Sequence, residues 1–169
     1  AISNSAITGL TTEQVASLET DQVAALTVLQ LKALTTNQMS ALTSEQVQSL
    51  STLQIAAFSS AQLGAMDAED IAALSSAQVK AINNTAMVGL TTEQIAGMGT
   101  EQISALTSAQ IKSLSTAQIG ALTTDQAAAL TSAQAASLTA AQIAKMDSED
   151  VAALSSASLN ALSAVQVKA

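Results

Sequence analysis

Cysteine, histidine, proline, tryptophan, tyrosine and arginine are all missing from these 169 residues, and Phe58 is the single aromatic. Without cysteine there is no disulfide framework and no thiolate metal site, which leaves the redox compartment open. With no histidine, tyrosine, arginine clamp or glycine-rich phosphate loop, the chain lacks the usual parts of a catalytic centre, and no enzyme and no bound cofactor are expected. Five lysines against thirteen acids leave a net charge of −8. Phosphate-neutralising charge and stacking aromatics are both scarce, so neither nucleic acid nor an anionic membrane is an expected partner. No uninterrupted apolar run approaches the roughly 18 residues of a membrane-spanning helix, so no membrane insertion is expected. The chain opens at Ala1 with neither a basic n-region nor an apolar h-region; no targeting segment is read, and the sequence looks like a mature or excised piece. Its apolar fraction of 49% rests heavily on alanine. A wide globular core filled by aromatics is therefore not expected.

What is present is one octapeptide, said over and over. With Leu10 as slot 0, large apolar residues fall every eight positions, among them Ile2, Leu18, Leu26, Phe58, Met66, Leu74, Ile82, Leu106, Leu130, Met146, Leu154 and Leu162. Twenty-one units tile residues 2–169 without insertion or deletion, on the consensus L-[TS]-[TS]-x-Q-[VI]-x-[AS]. Glutamine fills slot 4 in sixteen of the twenty-one, slot 5 is aliphatic or Met apart from Ala127 and Ala135, and slot 7 is small apart from Lys145.

The period of eight selects the backbone. In one continuous helix the leucine row would rotate by about 80° per unit, so no face could bury it. A strand needs alternation at period two, which slots 0, 5 and 7 break, and the β-turn residues of a β-solenoid are lacking. A short helix restarting in every unit fits. Thr11 as N-cap places Gln14 at N3, which makes a capping box, while Leu10 faces Val15 as a hydrophobic staple. All thirteen acids occupy slots 1, 3 or 4 and all five lysines slots 6 or 7, as the helix dipole favours for helices that begin near slot 1 and end near slot 7. Helices this short are unstable alone. The expected fold is therefore all-α: a tight α-solenoid of about twenty short helices, with slots 0 and 5 as a continuous core and slot 7 kept small for close approach.

A longer period overlies the octad. ISNSAITGLTTEQ at Ile2 returns as INNTAMVGLTTEQ at Ile82, and MDAEDIAALSSA at Met66 returns as MDSEDVAALSSA at Met146. Ten octads thus form a super-repeat, residues 2–81 and again 82–161, with one further octad at 162–169, in a single continuous repeat domain. Eighty divides by sixteen and not by twenty-four, which favours a coil of two helices over a coil of three. Two rows of helices would give about ten layers at the usual spacing of 8 to 10 Å, a body roughly 80 to 100 Å long.

Three features stand out as candidate sites. The clusters Asp67, Glu69, Asp70 and Asp147, Glu149, Asp150 place three carboxylates within four residues, hard oxygen ligands of the kind Ca²⁺ takes. The spacing is not that of an EF-hand loop, and the helix dipole alone explains acids at N-cap, N2 and N3. The glutamine row offers sixteen amides to a recognition face, although capping is the simpler cause. Paired Thr and Ser in slots 1 and 2 form a hydroxyl array similar to an ice-binding surface, but slot 1 is already committed to capping. The neighbours Lys112 and Ser113 read as a surface lysine beside a small contact residue rather than a nucleophilic pair.

Tandem L-T-[TS]-x-Q-[VI]-x-A units over residues 2–169 resemble the octad tracts of very large secreted or surface bacterial proteins, adhesin-like chains grouped loosely with RTX-type and haem-utilisation/adhesion proteins. That resemblance implies an extracellular or cell-surface location, although no RTX calcium nonapeptide is present. The expected function is a non-catalytic structural repeat region: a spacer, stalk or self-assembling module of a larger protein. Its expected partners are flanking domains or other copies end to end, since the end units ISNSAITG and LSAVQVKA carry no charged outer face. The alternative is a binding scaffold for a peptide, glycan or calcium. Such scaffolds display aromatic or arginine hot spots, which are missing here.

Overall fold

The computed structural model describes residues 4–168, which form twenty-one short α-helices, from α1 (Asn4–Ile7) to α21 (Ala164–Val167), and among the described residues no strand. Ile2, the slot-0 residue of the first octad, lies outside the described residues. Each octad supplies one helix of four to six residues. The start is set by slot 1, whose backbone stays extended (Thr91: φ −75°, ψ 162°) while its side chain accepts a hydrogen bond from the N–H of Gln94. Slot 0 ends the previous helix in an extended conformation, as at Leu106 (φ −58°, ψ 140°). Among the described residues no φ is positive, so the chain turns at every octad without a left-handed residue. Slots without Gly, Asn or Pro therefore suffice as corners.

Slots 0 and 5 point inward and form one unbroken apolar core that includes Val15, Val23, Leu74, Ile95, Ile111 and Leu130. The staple geometry and the core are thus one device, since the residues flanking each cap are also the residues buried. Residues on both sides of the super-repeat boundary, Val79, Ile82 and Met87, belong to the same core. Slot 7 lies half-buried between helices, as at Ala33, Ala41 and Ala65.

The coil differs from the expected one. Helix α9 (Ala68–Ala72) packs on α6 (Ser44–Gln48) and α12 (Thr92–Gly97), and throughout the chain each helix packs on the helix three places along. The coil therefore contains three helices, one from each of three successive octads, and the helices stand in three columns. A module of ten octads closes three coils and adds one helix, so the second super-repeat is offset from the first by one column. Divisibility of the module says nothing about the coil, because octads are interchangeable as packing units and nothing obliges a module to end on a whole coil. Twenty-one helices make seven coils, about 55 to 70 Å at the usual helix spacing. None of the described helices is long and apolar enough to cross a membrane.

Candidate functional site

The slot-4 glutamine is the side chain the fold uses hardest. Its Oε1 faces back along its own octad: in Gln126 it accepts from the Thr123 N–H at 2.8 Å, while Thr123 Oγ1 accepts from the Gln126 N–H at 3.3 Å, completing the capping box. Its Nε2 faces the preceding coil and donates to the carbonyls of Ile95 at 2.8 Å and Met98 at 2.7 Å, 31 and 28 residues earlier. The same clamp recurs along the chain, at Gln38 on Ile7 and Leu10, Gln94 on Leu63 and Met66, Gln118 on Met87 and Leu90, and Gln166 on Ala135 and Leu138. These carbonyls lie at helix C-termini and corners, where intrahelical partners run out. One amide thus satisfies a donor of its own helix start and acceptors of the helix end beneath it. Gln38, Gln46, Gln94, Gln110 and Gln126 are all buried, so the row does not form an outward recognition face. The capping half of this role was legible in the spacing S/T-x-x-Q. The clamping half left no local signal, because its acceptor is a backbone carbonyl of the coil beneath.

Where slot 4 is not glutamine, the clamp changes. Ser158 Oγ donates to Leu130 O at 2.9 Å, keeping one of the two bonds. Asp70 and Asp150 cannot donate when ionised, and each instead accepts from a hydroxyl 26 residues earlier: Ser44 Oγ to Asp70 Oδ1 at 2.8 Å, and Thr124 Oγ1 to Asp150 Oδ1 at 2.9 Å. Asp70 is 4% exposed, and its Oδ2 is buried without a hydrogen-bond partner. Burial pushes the Asp70 carboxyl above the usual 3.8; the Ser44 hydroxyl and the Asp67 backbone oppose this, and the charges of Asp67 and Glu69 add to it.

This geometry separates the acidic triads. Asp67 and Glu69 are exposed at the helix start while Asp70 turns inward, and Asp147 and Glu149 stand apart from buried Asp150 in the same way. Among the described residues no three acidic side chains gather at a point where a metal ion would sit. Ser113 Oγ donates to Gln110 O at 2.7 Å and Lys112 is exposed, so these two do not face each other as a nucleophile and base. An open cleft of about 460 Å³ beside Ser76, Lys80, Ser108, Thr131 and Gln134 is lined by small and polar groups. Aromatic anchors are missing from it.

Fold and ladder together define a class: an all-helical octad-repeat solenoid whose slot-4 glutamine is consumed in holding coil to coil. The chain belongs to the ALTTAQ repeat family, which matches it in tandem over nine stretches, eight of them overlapping from 1–28 to 108–140 and the ninth at 143–169, leaving only 141–142 outside. No curated protein matches the chain.

Proposed function

We propose that this chain is a non-catalytic spacer: a stiff helical rod that sets distance within a larger bacterial extracellular or surface protein, without a bound cofactor. The observation that carries the reading is the burial of the glutamine ladder. In a binding scaffold the repeated polar side chain faces a ligand; here the amides are spent on capping and coil-to-coil contact, and the outer slots are mostly Ala, Thr, Ser and charged residues, with scattered exposed aliphatics such as Leu29, Leu53 and Val88. Repetition of this kind serves length, because each added coil brings its own caps, core residues and clamps and needs only its neighbours. The surface location rests on the resemblance of the octads to tracts of secreted and adhesin-like chains.

Small-angle scattering of the chain tests the rod, which should give an elongated particle about 55 to 70 Å long. A compact sphere, or a saturable micromolar response to calcium or to a glycan array, would favour the scaffold reading instead. Protease shaving of intact cells carrying the full-length protein tests the location; octad peptides should be released from the surface.

A further inference from the structure

The columns of the stack differ in charge, and one of them carries the two signs in separate halves. Helices α4 (Val28–Ala33), α7 (Thr52–Ile55), α10 (Ser76–Ala81), α13 (Thr100–Ala105), α16 (Thr124–Ala128) and α19 (Ser148–Ala153) stack in that order, each packed on the next. Slots 3 and 6 lie three residues apart and so share one face of each helix; both are exposed in all six. Over the first three helices that face carries Lys32, Lys80 and the leucines Leu29 and Leu53, 65% and 77% exposed, and no acid. Over the last three it carries Glu101, Asp125 and Glu149, and no lysine. Acids in successive coils stand about 8 to 10 Å apart at the usual helix spacing, close to the Debye length of about 8 Å in physiological salt, so the acidic half repels itself. The charges that would offset it lie further along the same column, and a straight stack cannot fold one half onto the other. A second copy can.

We propose that two copies of this chain lie side by side and antiparallel, joined through this column. A two-fold axis lying in the contact and running along the helices, midway between α10 and α13, reverses the stack and keeps the helix direction. It sets α10 against the partner's α13, α7 against the partner's α16 and α4 against the partner's α19. Lys80 then meets the partner's Glu101 and Lys32 meets the partner's Glu149, and symmetry supplies each pair twice. The paired slots are offset by three residues along the helix, about 4.5 Å, which the flexible stem of a lysine spans. Leu53 and Leu29 leave water against the partner's Ala128 and Ala152, the small exposed slot-6 residues of the facing helices. Parallel rods related by an axis along the stack would instead set every helix on its own copy, acid on acid and lysine on lysine. The antiparallel contact is isologous and closes at two copies. Six helices about 10 Å wide give a footprint of about 500 to 600 Å² per copy, at the low end for specific interfaces, so the pairing is weak and sensitive to salt. It goes beyond the spacer reading and does not depend on it.

Sedimentation and small-angle scattering of the purified chain over a range of concentrations test the pairing. At low ionic strength a dimer should form that is thicker than the monomer and hardly longer; near 1 M salt, where the Debye length falls to about 3 Å, it should dissociate. Lys80→Glu and Glu101→Lys should each raise the dissociation constant at least about tenfold, because each reversal turns two attractive pairs into repulsive ones. An equimolar mixture of the two variants should associate about as tightly as the parent, since each supplies the charge the other lacks, and a chain carrying both reversals should pair with itself again. Leu53→Ser should weaken the dimer as well. All these side chains are exposed, so helicity and the melting of the dilute monomer should match the parent in every variant. A chain that stays monomeric at every concentration in low salt, association indifferent to Lys80→Glu, a mixture of the two reversals no tighter than either alone, or a particle that lengthens as it associates overturns the pairing. A rod-shaped monomer would then still stand as a spacer, whereas a globular monomer would undo that reading as well.

Discussion

Gln126 makes two kinds of bond from one amide, and its removal is the sharpest residue-scale test of the fold. Gln126→Ala loses the Oε1 bond to Thr123 and the Nε2 bonds to Ile95 and Met98, and leaves their buried carbonyls short of a donor. At about 0.5 to 1.5 kcal/mol per net hydrogen bond, the cost should be about 2 to 4 kcal/mol in a urea melt. Gln14→Ala, which loses only its cap, should cost about 1 kcal/mol or less. Equal losses at the two positions would mean that the inter-coil bonds contribute nothing. Asp70 supplies the converse. Its native carboxyl has a raised pKa, so the folded state holds its proton more tightly than the unfolded chain. Stability from this group is fully present below pH 3.8 and is lost as pH rises through the raised native value, with Glu45 on α6 and Glu93 on α12 the acids of the two helices packed against it. Asp70→Gln gives this octad an amide whose acceptors, in the register of the other clamps, are the carbonyls of Met39 and Leu42. The variant should melt higher than the parent at pH 7, and its advantage should shrink as pH falls towards 4.

Each element carries its own start, stop and contact surface, which is why the sequence was so readable at this scale. The capping box at Thr91 and Gln94, the staple, and the placement of acids and lysines are all local, and the helices fall where those signals put them. The number of helices per coil was not legible, since it is settled by a glutamine reaching a carbonyl in another coil, and no residue within the octad records that partner. The buried state of slot 4 was hidden for the same reason: a polar residue at a helix start looks solvent-facing until the coil beneath it is known. Asp70 and Asp150 keep equivalent hydroxyl partners, Ser44 and Thr124, although they stand in different columns, because the contact depends on separation along the chain and not on the column. Glycine gives the element-scale test. A Cβ at Gly89, just past the end of α11 (Asn84–Met87), would collide with the Ser60 carbonyl of α8 (Ser60–Gly64), on which α11 packs. At Gly97 a Cβ would find only ordinary contact, with Ala68 Cβ at 3.7 Å. Gly89→Ala should therefore lower the melting temperature, while Gly97→Ala, at the last residue of α12, should stabilise by up to about 0.5 kcal/mol.

For the whole molecule, length is the property that three helices per coil sets directly. Octads contribute a third of a coil each, about 3 Å of rod at the usual helix spacing, where a two-helix coil would give about 4 to 5 Å. Deleting residues 98–145 removes six octads, hence two whole coils, and joins Gly97 to Met146 in the same octad register. The register of the clamps survives such a splice because it depends on sequence separation alone: Ser158 then takes the place of Gln110 over Ile82, whose corner carbonyl already serves as an acceptor. Asp150 comes to stand to Ser76 as it stood to Thr124, so a hydroxyl is again supplied. The shortened chain should keep its helicity per residue and lose stability in proportion to the contacts removed, as expected when each unit touches only its neighbours. Its scattering profile should report a rod shorter by about 16 to 20 Å, the thickness of two coils, under conditions that keep it monomeric. A loss of about 24 to 30 Å would restore the two-row arrangement, and a collapse of helicity would show that octads far apart in the stack depend on one another, which neighbour-only packing forbids.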